Sequence, residues 1–234
     1  MSLQVRWLGR IDYHAAWRLQ HELVAARAAT EALDQLLLLE HPAVLTLGRQ
    51  ADEGYVRASP GELARRGIEL LRVERGGEVT YHGPGQLVAY PIIGLADRGL
   101  LLRPFVRLLE GAMSDTAAAF GVTAGRRDGH PGCWVEPATA RPRKIGALGL
   151  RVERGVSYHG IALNVTTDLA DYELIDPCGM PGVTVSSIAA EAGWSGAAAL
   201  PSTASVERAA EHFAAAFDGA LEGLLARTLV PAAG

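Results

Sequence analysis

Apolar and polar positions alternate in short runs along most of the chain and give way to longer helical periods in three places. Residues 4–8 predict a short strand. Asp12 can cap a helix that carries Ala15, Ala16, Leu19, Leu23 and Ala26 along one face. The unbroken leucine run 36–39 is the pattern of a strand buried on both sides, and 44–47 predicts the next strand after a turn at His41-Pro42. Residues 61–66 predict a short helix, 68–73 and 86–93 further strands, and 103–120 a long helix. Residues 143–152 and 156–165 predict a strand pair turning at Arg154-Gly155. Residues 205–227 form a strongly amphipathic pattern, with Val206, Ala210, Phe213, Phe217, Leu221, Leu224 and Leu225 on one side. The Pro- and Ala-rich stretches 137–142 and 197–203 read as loops. Strict strand-helix-strand alternation is absent. The expectation is one α/β (α+β) domain over residues 1–234, with a mixed, largely antiparallel sheet flanked by helices.

Composition narrows the class. The chain has 234 residues, 49% of them hydrophobic, which suffices for one core. No apolar run approaches the ~20 residues of a membrane span. Residues 1–10 lack the apolar stretch of a signal peptide. Two cysteines, Cys133 and Cys178, are too few for a disulfide framework and read as thiols, so a soluble cytoplasmic protein is expected. Cys133 sits beside Trp134 in a short apolar stretch and reads as a buried hydrophobe. A net charge of −4 argues against general nucleic-acid affinity. Charge is nevertheless uneven: residues 126–154 carry seven Lys/Arg against three acids, a basic face suited to docking something anionic.

Among 22 Lys/Arg positions, Lys144 is the single lysine. Arginine serves wherever fixed charge is needed but not where the nitrogen must release a proton, so Lys144 is a candidate for proton transfer. The plain alternative is a surface lysine that compositional drift left in place. Three stretches carry further candidate chemistry. RGGEVTYHGPGQL at 75–87 is a glycine-rich segment between strands, open either to an extended ligand against the main chain or to tight turns around His82. It matches no phosphate-loop spacing. KIGALG at 144–149 places small residues beside the lysine. SYHGIALNV at 157–165 contains the chain's only asparagine, Asn164, at a strand end. DPCGMPG at 176–182 presents Cys178 among turn-formers, where a thiol is accessible. An ammonium near a thiol favours thiolate, and the amine can then shuttle protons. No zinc-ligand spacing is present.

The segments LLLLEHPAVLTLGR, RGGEVTYHGPGQLVAYPI, KIGALGLRVERGVSYHGIALNV and DPCGMPG together resemble the lipoyl(octanoyl) transferases, over residues 13–188. The resemblance implies the α/β fold of biotin and lipoate ligases and a covalent acyl-cysteine formed by a Cys-Lys dyad, here Cys178 and Lys144. It maps the acyl pocket onto Arg75, Gly76, Gly77, Glu78, Val79, Thr80, Tyr81 and His82, then Ala147, Leu148, Gly149, Gly160, Ile161 and Ala162. It implies octanoyl transfer from acyl carrier protein to a lysine of lipoyl domains, those of 2-oxoacid dehydrogenase complexes and the glycine cleavage H protein. Phosphopantetheine would arrive on the donor, with no other cofactor, no ATP and no metal. The chain departs from the family pattern in a longer Pro/Arg-rich loop, 136–143, and in Cys133 where an aliphatic residue is expected. Two other readings stay open: an ATP-dependent lipoate or biotin ligase on the same fold, and a cysteine hydrolase with His82 or His159 as base. A non-catalytic acyl-binding module would need no Lys144 beside Cys178.

Overall fold

The computed structural model describes residues 3–194 and 205–229, the side chains of 227–229 excepted. The loop expected at 197–203 lies outside them. Among the described residues eleven strands and five α-helices follow in order: β1 (Leu3–Arg10), α1 (Tyr13–Ala28), β2 (Asp34–Glu40), β3 (Val44–Leu47), α2 (Pro60–Arg66), β4 (Glu69–Arg72), β5 (Thr80–His82), β6 (Gln86–Ile92), α3 (Leu102–Ala119), β7 (Ala124–Arg127), β8 (His130–Val135), β9 (Arg143–Glu153), β10 (Val156–Asn164), β11 (Thr184–Val185), α4 (Ile188–Glu191) and α5 (Val206–Leu229). The main sheet runs β1-β2-β6-β10-β9-β8-β7, with β11 beside β9. Its pairs are antiparallel except β1–β2 and β9–β11. A smaller sheet has the order β4-β3-β5.

The leucine run explains the layering. Leu36 and Leu38 join Phe105 and Met113 of α3 and Phe213 and Phe217 of α5 in one core. Leu37 and Leu39 point the other way and meet Ala16, Leu19 and Leu23 of α1. Successive side chains leave opposite faces of a strand, so a strand covered on both sides must be apolar throughout. The helix ends follow local chemistry. Asp12 accepts from Ala15 N at 3.0 Å, and Ser59 accepts from Glu62 N at 3.2 Å ahead of Pro60.

Four strands fall outside the predicted pattern: β5, β7, β8 and the two-residue β11. β5 lies inside the glycine-rich stretch, and its pairing with β3 comes from residues more than thirty positions upstream. β7 and β8 form a hairpin whose sequence, AGRR followed by HPGCWV, carries little strand propensity of its own. That hairpin becomes a strand pair because β8 docks on β9.

Candidate functional site

Lys144 is the second residue of β9 and faces inward, only 5% exposed. Its Nζ donates to Pro131 O at 3.0 Å and approaches Cys178 Sγ at 3.3 Å. The same ammonium stands 4.9 Å from the centroid of the Trp134 ring. No carboxylate forms an ion pair with it among the described residues. Room for the amine depends on Gly132. A Cβ there would lie 2.4 Å from Gly146 O and 2.9 Å from Lys144 Cε, and its φ of +133° is itself rare for other residues. Gly132 N donates to the buried carboxylate of Glu110 on α3 at 2.9 Å, which fixes the β8 backbone beside the lysine.

Cys178 occupies the turn Pro177–Gly179 in a left-handed conformation, φ 58° and ψ 25°. Its N–H donates to Val79 O at 3.0 Å, and β11 then pairs Val185 with Lys144. A non-glycine residue held in the left-handed region is uncommon and clusters at functional positions. Cys133 is a contrast. It is fully buried in the main core, and burial pushes its thiol up to about 12.

From the Lys144–Cys178 pair a cavity of about 430 Å³ extends between the glycine-rich stretch and strands β9 and β10. Its wall includes Arg75, Gly76, Gly77, Glu78, Val79, Thr80, His82, Ala147, Leu148, Gly149, Gly160, Ile161 and Ala162, together with Lys144 and Cys178. Tyr81 is not on it. Alternation along β5 sends that ring into the second core beside Leu45 and Leu47. Other lining residues were not expected on the pocket wall: Tyr13, Tyr90, Leu102, Val106 and Met180, together with His159, which the sequence offered only as a possible hydrolase base. Leu102 and Val106 are one helical turn apart on α3, a spacing that marks a shared face but not what the face covers.

The cavity has a polar margin made of largely neutral groups. His82 Nδ1 donates to Gln86 Oε1 at 2.8 Å, and burial pushes this histidine down to about 3. His41 Nδ1 donates to Ile11 O at 2.8 Å, so its Nε2 accepts from Tyr90 OH at 2.9 Å; burial pushes His41 down to about 4. Burial raises the neighbouring Tyr13 hydroxyl to about 12, and it lies against Tyr90. Arg75 supplies the buried charge. It donates to Thr46 O at 2.5 Å, Thr46 Oγ1 at 2.9 Å and Gly76 O at 3.0 Å, and burial lowers its pKa. His159 has φ 54°, and its Nε2 stands 3.6 Å from Glu74 Oε2, just beyond hydrogen-bond reach. The thiol's side-chain partner is Lys144, not His82 or His159.

Asn164 is a buried junction. Its Oδ1 accepts from Gln86 Nε2 at 2.9 Å and Tyr172 OH at 3.2 Å, and its Nδ2 donates to Ser186 O at 3.0 Å. It thereby joins β6 and β10 to the segments on either side of Cys178. Among the described residues no three His, Cys, Asp or Glu side chains cluster as a metal site, and no helix is long and apolar enough to cross a membrane.

Comparison with known proteins follows the same lines. Residues 12–218 match the family model described as the lipoyl protein ligase A/B catalytic domain. An octanoyltransferase of Chloroflexus aggregans is 46% identical over 193 residues, covering 82% of this chain and 86% of that protein. One from Mycobacterium bovis is 44% identical over 224 residues, covering 96% and 89%. A solved lipoate-protein ligase A bound with ATP superposes with a TM-score of 0.66 at 18% identity, covering 98% of this chain and 94% of that one. The biotin protein ligase of Aquifex aeolicus gives 0.51 at 9%, covering 95% and 70%. At such identities these two structures speak to the fold alone. The family match and the 44–46% identical relatives, each running along most of the sequence, place this chain in the lipoyl protein ligase A/B catalytic-domain family, among its octanoyltransferases.

Proposed function

We propose that this chain is a cytoplasmic octanoyltransferase of lipoate biosynthesis, working through an acyl-cysteine at Cys178. The observation that carries the reading is the 3.3 Å approach of Lys144 Nζ to Cys178 Sγ at the edge of a cavity of about 430 Å³. The Cys178 thiolate attacks the octanoyl thioester on acyl carrier protein. An S–C bond forms to Cys178, the bond to the phosphopantetheine sulfur breaks, and that sulfur leaves with a proton from Lys144. A lysine amine of a lipoyl domain, in a 2-oxoacid dehydrogenase complex or the glycine cleavage H protein, then attacks the acyl-cysteine. Its N–C bond forms, the Cys178 S–C bond breaks, and Lys144 accepts the proton that the amine loses. A thioester is already activated, so the amide forms without ATP, metal or any other cofactor.

The wall chemistry supports an acyl substrate. The small residues Gly76, Gly77, Ala147, Gly149, Gly160 and Ala162 leave a slot, and Val79, Leu148 and Ile161 make it apolar. Burying the tail contributes roughly 0.8 kcal/mol per methylene, on the order of 5 kcal/mol for an octanoyl chain. The test is intact mass after incubation with octanoyl-acyl carrier protein in the absence of ATP. One octanoyl adduct mapped to Cys178, discharged by a lipoyl domain, is expected. Acylation only with free acid and ATP would instead make the protein a ligase, and release of free octanoate despite a lipoyl domain would make it a hydrolase.

A further inference from the structure

Beside the mouth of the acyl cavity lies a second groove of about 680 Å³, bounded by β7 to β9 on one side and residues 180–184 on the other. His130 and Met180 line both hollows, so the groove opens directly next to the dyad. Its ionisable wall groups are Arg127, His130, Arg141 and Arg143, and no carboxylate lines it. That is notable in a chain of net charge −4.

The three arginines are not equivalent. Arg143 is held by Glu191 through Nε and Nη2, at 2.8 and 2.9 Å, and by Glu136 at 2.8 Å. Its charge is matched within the fold. Arg127 lies 5.3 Å from the Trp134 ring centroid, and Arg141 is exposed. Among the described residues neither forms an ion pair with a carboxylate. Two uncommitted guanidinium groups in one groove are a ready fork for phosphate oxygens.

A thioester has two arms, and only one can enter the acyl cavity. With the reacting carbon at Cys178 and the acyl tail inside, the thiol-side arm must leave along the mouth. We propose that this groove seats the donor's pantetheine arm and that Arg127 and Arg141 bind the phosphate at its far end. The proposal rests on the acyl-cysteine reading above. It adds a phosphate subsite that selects donors by the group ending their arm.

The test measures the rate constant for Cys178 acylation by rapid quench and intact mass, with three donors: octanoyl-pantetheine, octanoyl-phosphopantetheine and octanoyl-acyl carrier protein. Wild type is expected to use the phosphorylated small donor about tenfold faster than the unphosphorylated one, with the advantage shrinking as salt rises. In Arg127→Ala/Arg141→Ala that ratio should fall to near one. In Arg126→Ala, an exposed charge outside the groove, it should persist. A ratio near one in wild type, or one that survives the double substitution, overturns the subsite while leaving acyl transfer intact. Loss confined to the carrier-bound donor also overturns it, because the arginines would then read the carrier's protein surface. Failure of wild type to acylate Cys178 from any of the three removes the acyl-cysteine reading itself.

Discussion

Lys144 and Cys178 lie 34 positions apart, yet Nζ and Sγ meet at 3.3 Å. Two backbone arrangements bring them together. The Cys178 amide is bonded to Val79 O, and seven residues later Val185 pairs with Lys144, followed by a Ser186 N–H bond to Lys144 O at 2.9 Å. The segment carrying the thiol is thus closed onto the strand carrying the amine.

Cys178→Ser is expected to abolish acyl-enzyme formation, because an alkoxide is far harder to generate than a thiolate. Cys133→Ser should retain the adduct and most of the turnover, at a packing cost of roughly 1 kcal/mol, since this thiol is buried away from the cavity. Intact mass of both variants with octanoyl-acyl carrier protein decides. An adduct on Cys178→Ser that is missing from Cys133→Ser reverses the assignment.

Lys144→Arg separates charge from proton transfer. The guanidinium keeps the positive charge but does not give up a proton near neutral pH. Transfer to a lipoyl domain should fall on the order of 10²- to 10⁴-fold while Cys178 still alkylates readily at pH 7. Lys144→Met should lose both. Turnover in Lys144→Arg close to wild type would reduce the lysine to a fixed charge.

The buried histidines make stability sensitive to acid. His82 and His41 are held down to about 3 and 4 in the folded chain, below the ordinary value of about 6.5. The unfolded chain therefore binds more protons between those limits. Stability is fully present above about pH 6.5 and declines as pH falls towards 4, by up to ~1.4 kcal/mol per pH unit for each histidine. Urea midpoints at pH 7 and pH 5 should differ clearly in wild type and less in His82→Gln. An equal difference in both proteins would mean that His82 contributes nothing to the pH dependence.

Gly160→Ala tests the wall between β6 and β10. A Cβ there would stand 1.9 Å from Ala89 O and 2.8 Å from Pro91 Cδ, so the two strands must separate. A loss of ~2 kcal/mol or more is expected, together with poorer use of octanoyl donors. An unchanged thermal midpoint would show that the strands part freely.

Legibility in the sequence followed how local each signal is. The leucines 36–39, the helix face through Phe213 and Phe217, and the strand pair turning at Arg154-Gly155 are patterns within single segments, and each element formed where expected. β5, β7 and β8 become strands only by pairing across the fold. The lone lysine and lone asparagine were conspicuous in composition, but their partners were not. Nothing in the sequence connects Asn164 to Gln86 and Tyr172, or Lys144 to Trp134, before the sheet has assembled. Tyr81 shows the limit of carrying over a contiguous motif, since neighbouring strand residues face opposite sides. The phosphate groove lies partly in the basic stretch 126–154, whose charge was visible; which arginines remained unpaired was not.

The closure of residues 178–185 onto β9 has a kinetic meaning. On the acyl-cysteine route proposed above, a nucleophile tied to the core before and after its own position has no swing of its own, so one fixed point must receive both substrates. The donor's arm and the acceptor's lysine must each travel to it and vacate it before the other arrives. In steady state such traffic gives parallel double-reciprocal lines when one substrate is varied at several levels of the other. Each substrate in excess then becomes an inhibitor by occupying the enzyme form meant for its counterpart.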